Sequence, residues 1–139
     1  MEKLRNTAID RTNIDEELSM QPARFLFVAE KFVGAEILVT QYTEHMDRLH
    51  ASLDKEVRAK LNAEGTKFTE KMVENAVKLD SSYAKAQAHM GNLKAQRDAL
   101  KALKDSWVMR KDCLIELARK DRDEMRSVLS RNKEVQLGQ

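Results

Sequence analysis

The chain has 139 residues, of which 35% are charged and 5% aromatic, with four glycines and one proline. This length corresponds to about one domain, and so few turn-forming residues exclude a fold of many short strands. The 25 Lys and Arg residues nearly balance the 23 Asp and Glu residues, for a net charge of +2, so any nucleic-acid site must be local. We predict an all-α protein whose long helices pack along narrow apolar seams.

The first half of the chain predicts an arm and a long helix. Residues 1–20 are polar and predict an arm that is extended or only briefly helical, and Pro22 suits the first turn of a helix that runs to about Leu61. Apolar residues recur in this helix at alternating steps of three and four, which is typical of a coiled-coil seam. The seam contains Phe25, Val28, Phe32, Ala35, Val39, Tyr42, Met46, Leu49 and Leu53, and a second apolar set contains Leu26, Val33, Ile37 and Leu38.

The second half predicts a loop, a short helix and another long helix. Gly65 suits a helix C-cap and Thr69 the N-cap of a connector helix over about 70–78. A final helix is predicted from about 82 to 128. The domain plan is a polar arm (1–20), two long antiparallel helices joined by the connector helix (21–129) and a flexible tail (130–139).

The apolar stripes are wider than two helices can cover, and exposed patches of that kind mark interfaces. We therefore expect a homo-oligomer. The predicted interface residues are Phe25, Val28, Phe32, Val39, Tyr42 and Trp107. Trp107 lies in register with the apolar seam of the final helix, which favours core packing, but it also lies three residues from Lys104, where its ring could stack on a base.

The sequence contains no recognisable catalytic or metal site. His45, His50 and His89 lack metal-ligand spacing, and the carboxylates near Asp15 and Asp121 resemble solvated helix faces more than a hydrolase site. The one cysteine, Cys113, has apolar neighbours and is expected to pack inertly. We expect a non-enzymatic protein without a cofactor or metal. Because no apolar run of about 20 residues is present, we also expect a soluble, cytoplasmic protein without a membrane partner.

Basic residues are concentrated in two places. Residues 85–111 hold seven basic and two acidic side chains, a net charge of +5. The candidate DNA-binding residues here are Lys94, Arg97, Lys101, Lys104, Arg110 and Lys111, of which the first four form a ridge at steps of three and four. The second group lies around the predicted loop and contains Lys55, Arg58, Lys60, Lys67 and Lys71.

The basic residues around the predicted loop lie in a run of sequence that resembles a known protein family. The run Val57-Arg-Ala-Lys-Leu-Asn-Ala-Glu-Gly65 resembles the basic-Ala-basic-Leu-polar run, ending in glycine, of the UvsY recombination mediators of tailed bacteriophages. The order of Ile14-Asp15, the segment Lys71–Asp80 and the late cluster Arg110–Ile115 is also similar, so the resemblance covers about residues 14–126. The tyrosines of the family's run are replaced here by Ala63 and Glu64, so base stacking is either lost from this run or supplied instead by Phe68 or Trp107.

The resemblance implies a protein of an infected bacterial host's cytoplasm that forms a homo-oligomeric ring, of seven copies in the family. It implies binding of single-stranded DNA and loading of a RecA-like recombinase against single-strand-binding protein, with Arg58 and Lys60 as the DNA-contacting pair. The alternative is a phage protein–protein interaction module, either an inhibitor of a host defence factor or a scaffold, with no nucleic-acid role.

Overall fold

The computed structural model describes residues 1–138, which contain four helices and no strand, with 88% of the residues helical. The helices are α1 (Glu2–Arg5), α2 (Ile14–Ala63), α3 (Glu70–Leu79) and α4 (Ser81–Leu137), and the two long helices pack together. The prediction of an all-α protein with two long helices and a short connector is confirmed. Within residues 1–138, no helix combines the length and apolar character needed to cross a membrane.

The chain divides into two compact units. Unit 1 contains residues 1–30 together with the described residues from Lys101 onward, and unit 2 contains residues 31–100. In unit 2, Tyr42 of α2 contacts His89 of α4 at 4.7 Å between ring centroids, whereas His50 contacts Tyr83 at 5.9 Å. Since the residue numbers rise on one helix as they fall on the other, the two helices are antiparallel there, as predicted.

The core of unit 2 is the seam between these helix segments, closed by one face of α3. Two valines of α3, Val73 and Val77, are almost completely buried. The other buried apolar side chains of the unit are Phe32, Val39, Leu53, Ala86 and Met90. Val73 and Val77 therefore pack inward, whereas Met72 and Leu79 of the same helix are exposed. The packing of the two valines holds the turn before α3 next to the end of α2.

The core of unit 1 is built around Trp107 and Leu114 of α4, with Val28 and Ile14 of α2 also buried. Side chains of α4 also hold the N-terminal arm: the Trp107 indole N–H donates to the Leu4 carbonyl at 2.9 Å. Cys113 is exposed on α4 rather than packed, so the expectation from its apolar neighbours is wrong.

The start of α2 differs from the prediction. The helix begins at Ile14, so Pro22 lies inside it rather than in its first turn. Three acidic residues, 15–17, occupy the first turn, where negative charge is favourable next to the helix dipole. Pro22 removes the backbone bond to the Leu18 carbonyl, but burial of the flanking residues Ile14, Gln21 and Val28 keeps the helix continuous.

The end of α4 also differs, because the helix continues to Leu137 where a flexible tail was predicted over 130–139. Gln139 lies outside the described residues. All residues from Arg119 to Gly138 are exposed, and side-chain pairs such as Lys120–Glu124, 3.9 Å apart, line this segment. No glycine or proline lies between Gly91 and Gly138, so nothing local ends the helix near residue 129.

Candidate nucleic-acid interface

The turn between α2 and α3 brings the second basic group together. Gly65 has a positive φ of 66°, and its N–H donates to the Asn62 carbonyl while that of Thr66 donates to the Leu61 carbonyl. This pair of bonds is the Schellman motif, which ends a helix at a left-handed glycine. The Thr69 hydroxyl accepts from the Met72 N–H at 3.3 Å and caps α3. Both predicted caps are confirmed.

Four lysines surround this turn, and all are exposed: Lys55, Lys60, Lys67 and Lys71. None of the four takes part in an ion pair within the described residues. Residues 54–71 nevertheless hold four acidic side chains against five basic ones, so the net charge of the segment is only +1. The turn therefore presents exposed lysines within a segment whose charges nearly balance.

Arg58, the fifth basic residue of the segment, is half-buried, and each of its three side-chain nitrogens donates to a carboxylate. Its Nε donates to Asp54 Oδ2 at 2.8 Å, its Nη1 donates to Glu70 Oε1 at 2.9 Å, and its Nη2 donates to Glu70 Oε2. The guanidinium carbon also lies 6.0 Å from the centroid of the Phe68 ring. The sequence predicted Arg58 as a site residue but neither of its carboxylate partners. The spacing of Asp54, four residues before Arg58 on the same helix, is a signal that could have found it, whereas the Glu70 contact depends on the path of the turn.

The ion pair between Arg58 and Glu70 shifts the pKa of both groups toward their charged forms. The Arg58 guanidinium, through its hydrogen bonds and its charge, lowers the pKa of Glu70 below its ordinary value of 4.5. The two carboxylates in turn raise the pKa of Arg58. At neutral pH the Glu70 carboxylate therefore stays charged next to Arg58, so an anion approaching the terminal nitrogens of Arg58 meets this negative charge.

The predicted ridge on α4 is divided between the two units, with Lys94 and Arg97 in unit 2 and Lys101 and Lys104 in unit 1. The contact between His50 of α2 and Tyr83 of α4 gives a common reference point. Lys94 lies eleven residues from Tyr83 along α4, and Lys55 lies five residues from His50 along α2, on the opposite side of this contact. At 1.5 Å per residue, about 24 Å of helix separates these two lysines. Arg97 is paired with Asp98. Within unit 2, the ridge and the turn are therefore separate basic surfaces.

In unit 1, Arg110 is not a surface residue, and its prediction as a DNA contact is wrong. It is 4% exposed, and its Nη1 donates to the Gln21 amide oxygen at 2.9 Å. Its Nε donates to the Thr7 carbonyl, and its Nη2 donates to the Ala8 carbonyl and to Glu17. All donor nitrogens of this guanidinium have protein acceptors, so no nitrogen faces solvent phosphate.

The other basic residues of unit 1 that were predicted to bind DNA differ in exposure. Lys111 is exposed and lies 3.5 Å from Asp112, and Lys101 is also exposed. Lys104 is half-buried. The net charge of +5 counted over residues 85–111 therefore overstates the exposed charge, because it includes the buried Arg110.

Four of the six predicted oligomer-interface residues are buried within the chain. Val28, Phe32, Val39 and Trp107 have 0%, 9%, 8% and 1% of their surface exposed. They belong to the internal cores, so their assignment to an interface between copies is wrong, and Trp107 is a core residue with no face open to a base. The regular seam that predicted an interface packs one segment of the chain against another.

The remaining two predicted interface residues are half-buried. Phe25 lines a cleft of about 280 Å³ in unit 1, whose apolar walls also include Leu18, Pro22, Val108 and Ile115. Tyr42 stacks obliquely on His45 and His89. The three histidines are exposed, as predicted, but each contacts a tyrosine ring. The described residues contain no group of three or more His, Cys, Asp or Glu arranged to hold a metal ion.

The second apolar set is the exposed one. In unit 2, Val33, Ile37 and Leu38 are 50–51% exposed on α2. In unit 1, Leu26 is 57% exposed. The sequence predicted that this set would reach a second partner helix, and no such helix covers it within the described residues.

Comparison with protein-family models, with curated proteins and with solved structures finds no match to this chain.

Proposed function

We propose that this chain is a non-enzymatic single-stranded DNA-binding protein that contacts phosphates at the basic turn between α2 and α3. The observation that supports this most is the group of four exposed lysines without ion-pair partners around that turn, next to Arg58 and the Phe68 side chain. Exposed ammonium groups suit a flexible single strand, whose phosphates they neutralise with release of counterions.

One copy of the turn is a weak site, because its segment carries a net charge of only +1. Several copies held together would bind one strand at many points, and linked sites gain affinity through their high effective concentration. The proposal therefore includes a homo-oligomer. The ring form, the loading of a RecA-like recombinase and the competition with single-strand-binding protein rest on the resemblance to the UvsY mediators.

The test is a mobility-shift titration with oligo(dT) at several salt concentrations. Replacing Arg58 and Lys60 by Ala should weaken binding and reduce the slope of log affinity against log salt by about 0.7 for each phosphate that the variant no longer neutralises. The double variant Arg48→Ala/Lys78→Ala is the matched control, because it removes one Arg and one Lys from exposed positions of unit 2 that are paired with acids. Absence of binding by the wild-type protein at low salt would refute the proposal.

A second candidate function is a protein–protein interaction module. The half-exposed side chains of Val33, Ile37 and Leu38 favour it, since adjacent exposed aliphatic residues on one helix are typical of a partner surface. The same titration separates the two functions, because an interaction module without a nucleic-acid role would show no salt-dependent affinity for oligo(dT).

A further inference from the structure

Of the two acids that bind Arg58, Glu70 lies where a phosphate would bind. An arginine presents its two terminal nitrogens as a planar fork, which fits a carboxylate and a phosphate in the same bidentate manner. Glu70 occupies this fork with both of its oxygens. A phosphate therefore takes the bidentate position at the terminal nitrogens of Arg58 only after the Glu70 carboxylate leaves it.

The two acids differ in their freedom to leave. The Asp54 side chain is 32% exposed, lies one turn before Arg58 on the same helix and holds Nε. The Glu70 side chain is 82% exposed and belongs to the first turn of α3. Glu70 can rotate into solvent without disturbing a core contact, while Asp54 continues to hold the arginine side chain in place.

We infer that Glu70 is an internal competitor for the phosphate site at Arg58 and thereby limits the affinity of the basic turn for single-stranded DNA. This inference rests on the proposed function and adds the regulation of the same site. In the free protein, the Glu70 carboxylate satisfies Arg58. In the complex, a DNA phosphate replaces it, and the displaced carboxylate is hydrated.

The experiment compares Glu70→Gln with a matched control in the oligo(dT) titration. Glutamine keeps the size of the side chain and removes the charge, so phosphate no longer competes with an anion. In the wild-type protein, phosphate binding must break the ion pair between Arg58 and Glu70. Because a surface ion pair is weak, its removal by Glu70→Gln should tighten DNA binding about threefold at low salt. Salt should reduce this difference, because it screens the repulsion that the substitution removes.

The control is Glu44→Gln, which also neutralises an exposed acid paired with an arginine of α2. Glu44 is fourteen residues from Arg58 on the same helix, or about 21 Å, so it tests the effect of net charge alone. A second control introduces Glu70→Gln into an Arg58→Ala background. There the threefold gain should disappear, because the competition requires the guanidinium.

The outcomes separate the inference from the proposed function. If the wild-type protein binds oligo(dT) and Arg58→Ala weakens binding, but Glu70→Gln and Glu44→Gln have equal affinities, the inference is wrong and the DNA site stands. A gain from Glu70→Gln that persists without Arg58 would also overturn it. If no variant binds at low salt, the proposed function itself has failed.

Discussion

Arg110 donates hydrogen bonds to two backbone carbonyls of the N-terminal arm. The carbonyls of Thr7 and Ala8 lie between α1 and α2, outside any helical ladder, and both accept from the Arg110 guanidinium at 3.1 Å. Glu17 balances the charge of Arg110 at 2.5 Å and also accepts from Arg24 at 2.8 Å. A buried arginine is tolerated only when it is paired and fully hydrogen-bonded, and these contacts meet that condition.

Replacing Arg110 by Ala should therefore affect stability rather than DNA affinity. Loss of the guanidinium leaves two arm carbonyls and the Gln21 oxygen without their donor, and removing one member of a buried pair costs about 3 kcal/mol. The free energy of unfolding in urea, followed by the fluorescence of the single tryptophan, Trp107, measures the effect. Lys111→Ala removes the same charge at an exposed position and should change stability by less than about 0.5 kcal/mol.

The pH dependence of stability gives an independent check on this pair. The hydrogen bond from Arg110 is the main reason that the pKa of Glu17 lies below its ordinary value of 4.5. A lowered pKa in the folded state contributes stability above pH 4.5, which is lost as the pH falls through the folded value. Arg110→Ala should therefore make the free energy of unfolding fall less steeply as the pH is lowered below 4.5. An equally steep loss of stability in the variant would contradict the role assigned to Arg110.

At the scale of elements, the conformation of the turn after α2 depends on the backbone angle φ of one residue, Gly65. Gly65 has φ of 66°, and a Cβ built on it would meet no atom within 4 Å. Substitution there is therefore opposed by backbone conformation alone, without a steric contact. The Schellman bonds around Gly65 fix the direction in which the chain leaves α2, and hence the position of Glu70 next to Arg58.

Gly65→Ala should lower the free energy of unfolding by about 1 kcal/mol, because a left-handed conformation is unfavourable for a residue with a Cβ. Gly91 provides the matched control. It lies inside α4, and a Cβ there would also meet no atom within 4 Å. Gly91→Ala should raise stability by up to about 1 kcal/mol through its better helix propensity. Urea unfolding followed by circular dichroism measures both, and a change of equal sign in the two variants would contradict this explanation.

Short, locally capped elements are the ones that the sequence predicts well. The connector helix predicted over 70–78 is found at Glu70–Leu79, because Thr69 and Asp80 satisfy backbone groups within a few residues of themselves. The start of α2 was misplaced by eight residues, at Pro22 rather than Ile14. A proline lowers the propensity of a helix locally, but burial of neighbouring side chains against a distant segment outweighs this effect.

At the scale of the whole molecule, apolar side chains that remain exposed predict self-association. Ile37→Lys should lower the mass of the assembly measured by analytical ultracentrifugation, because it places a charge in the exposed apolar group of α2. Ser52→Lys introduces the same charge at an exposed polar position of the same helix and should leave the mass unchanged. A wild-type protein that sediments as a monomer would refute the predicted homo-oligomer.

The sequence by itself determined the helical class, the two long helices, the connector and the caps at Gly65 and Thr69. These features follow from composition, apolar spacing and contacts within a few residues, all of which can be counted along the chain. Only the tertiary structure decided that Arg110 is buried, that Val28 and Trp107 belong to internal cores, and that Arg58 is held by Glu70. Periodicity shows that a helix face is apolar or basic but not what it packs against, because that depends on contacts between residues far apart in sequence.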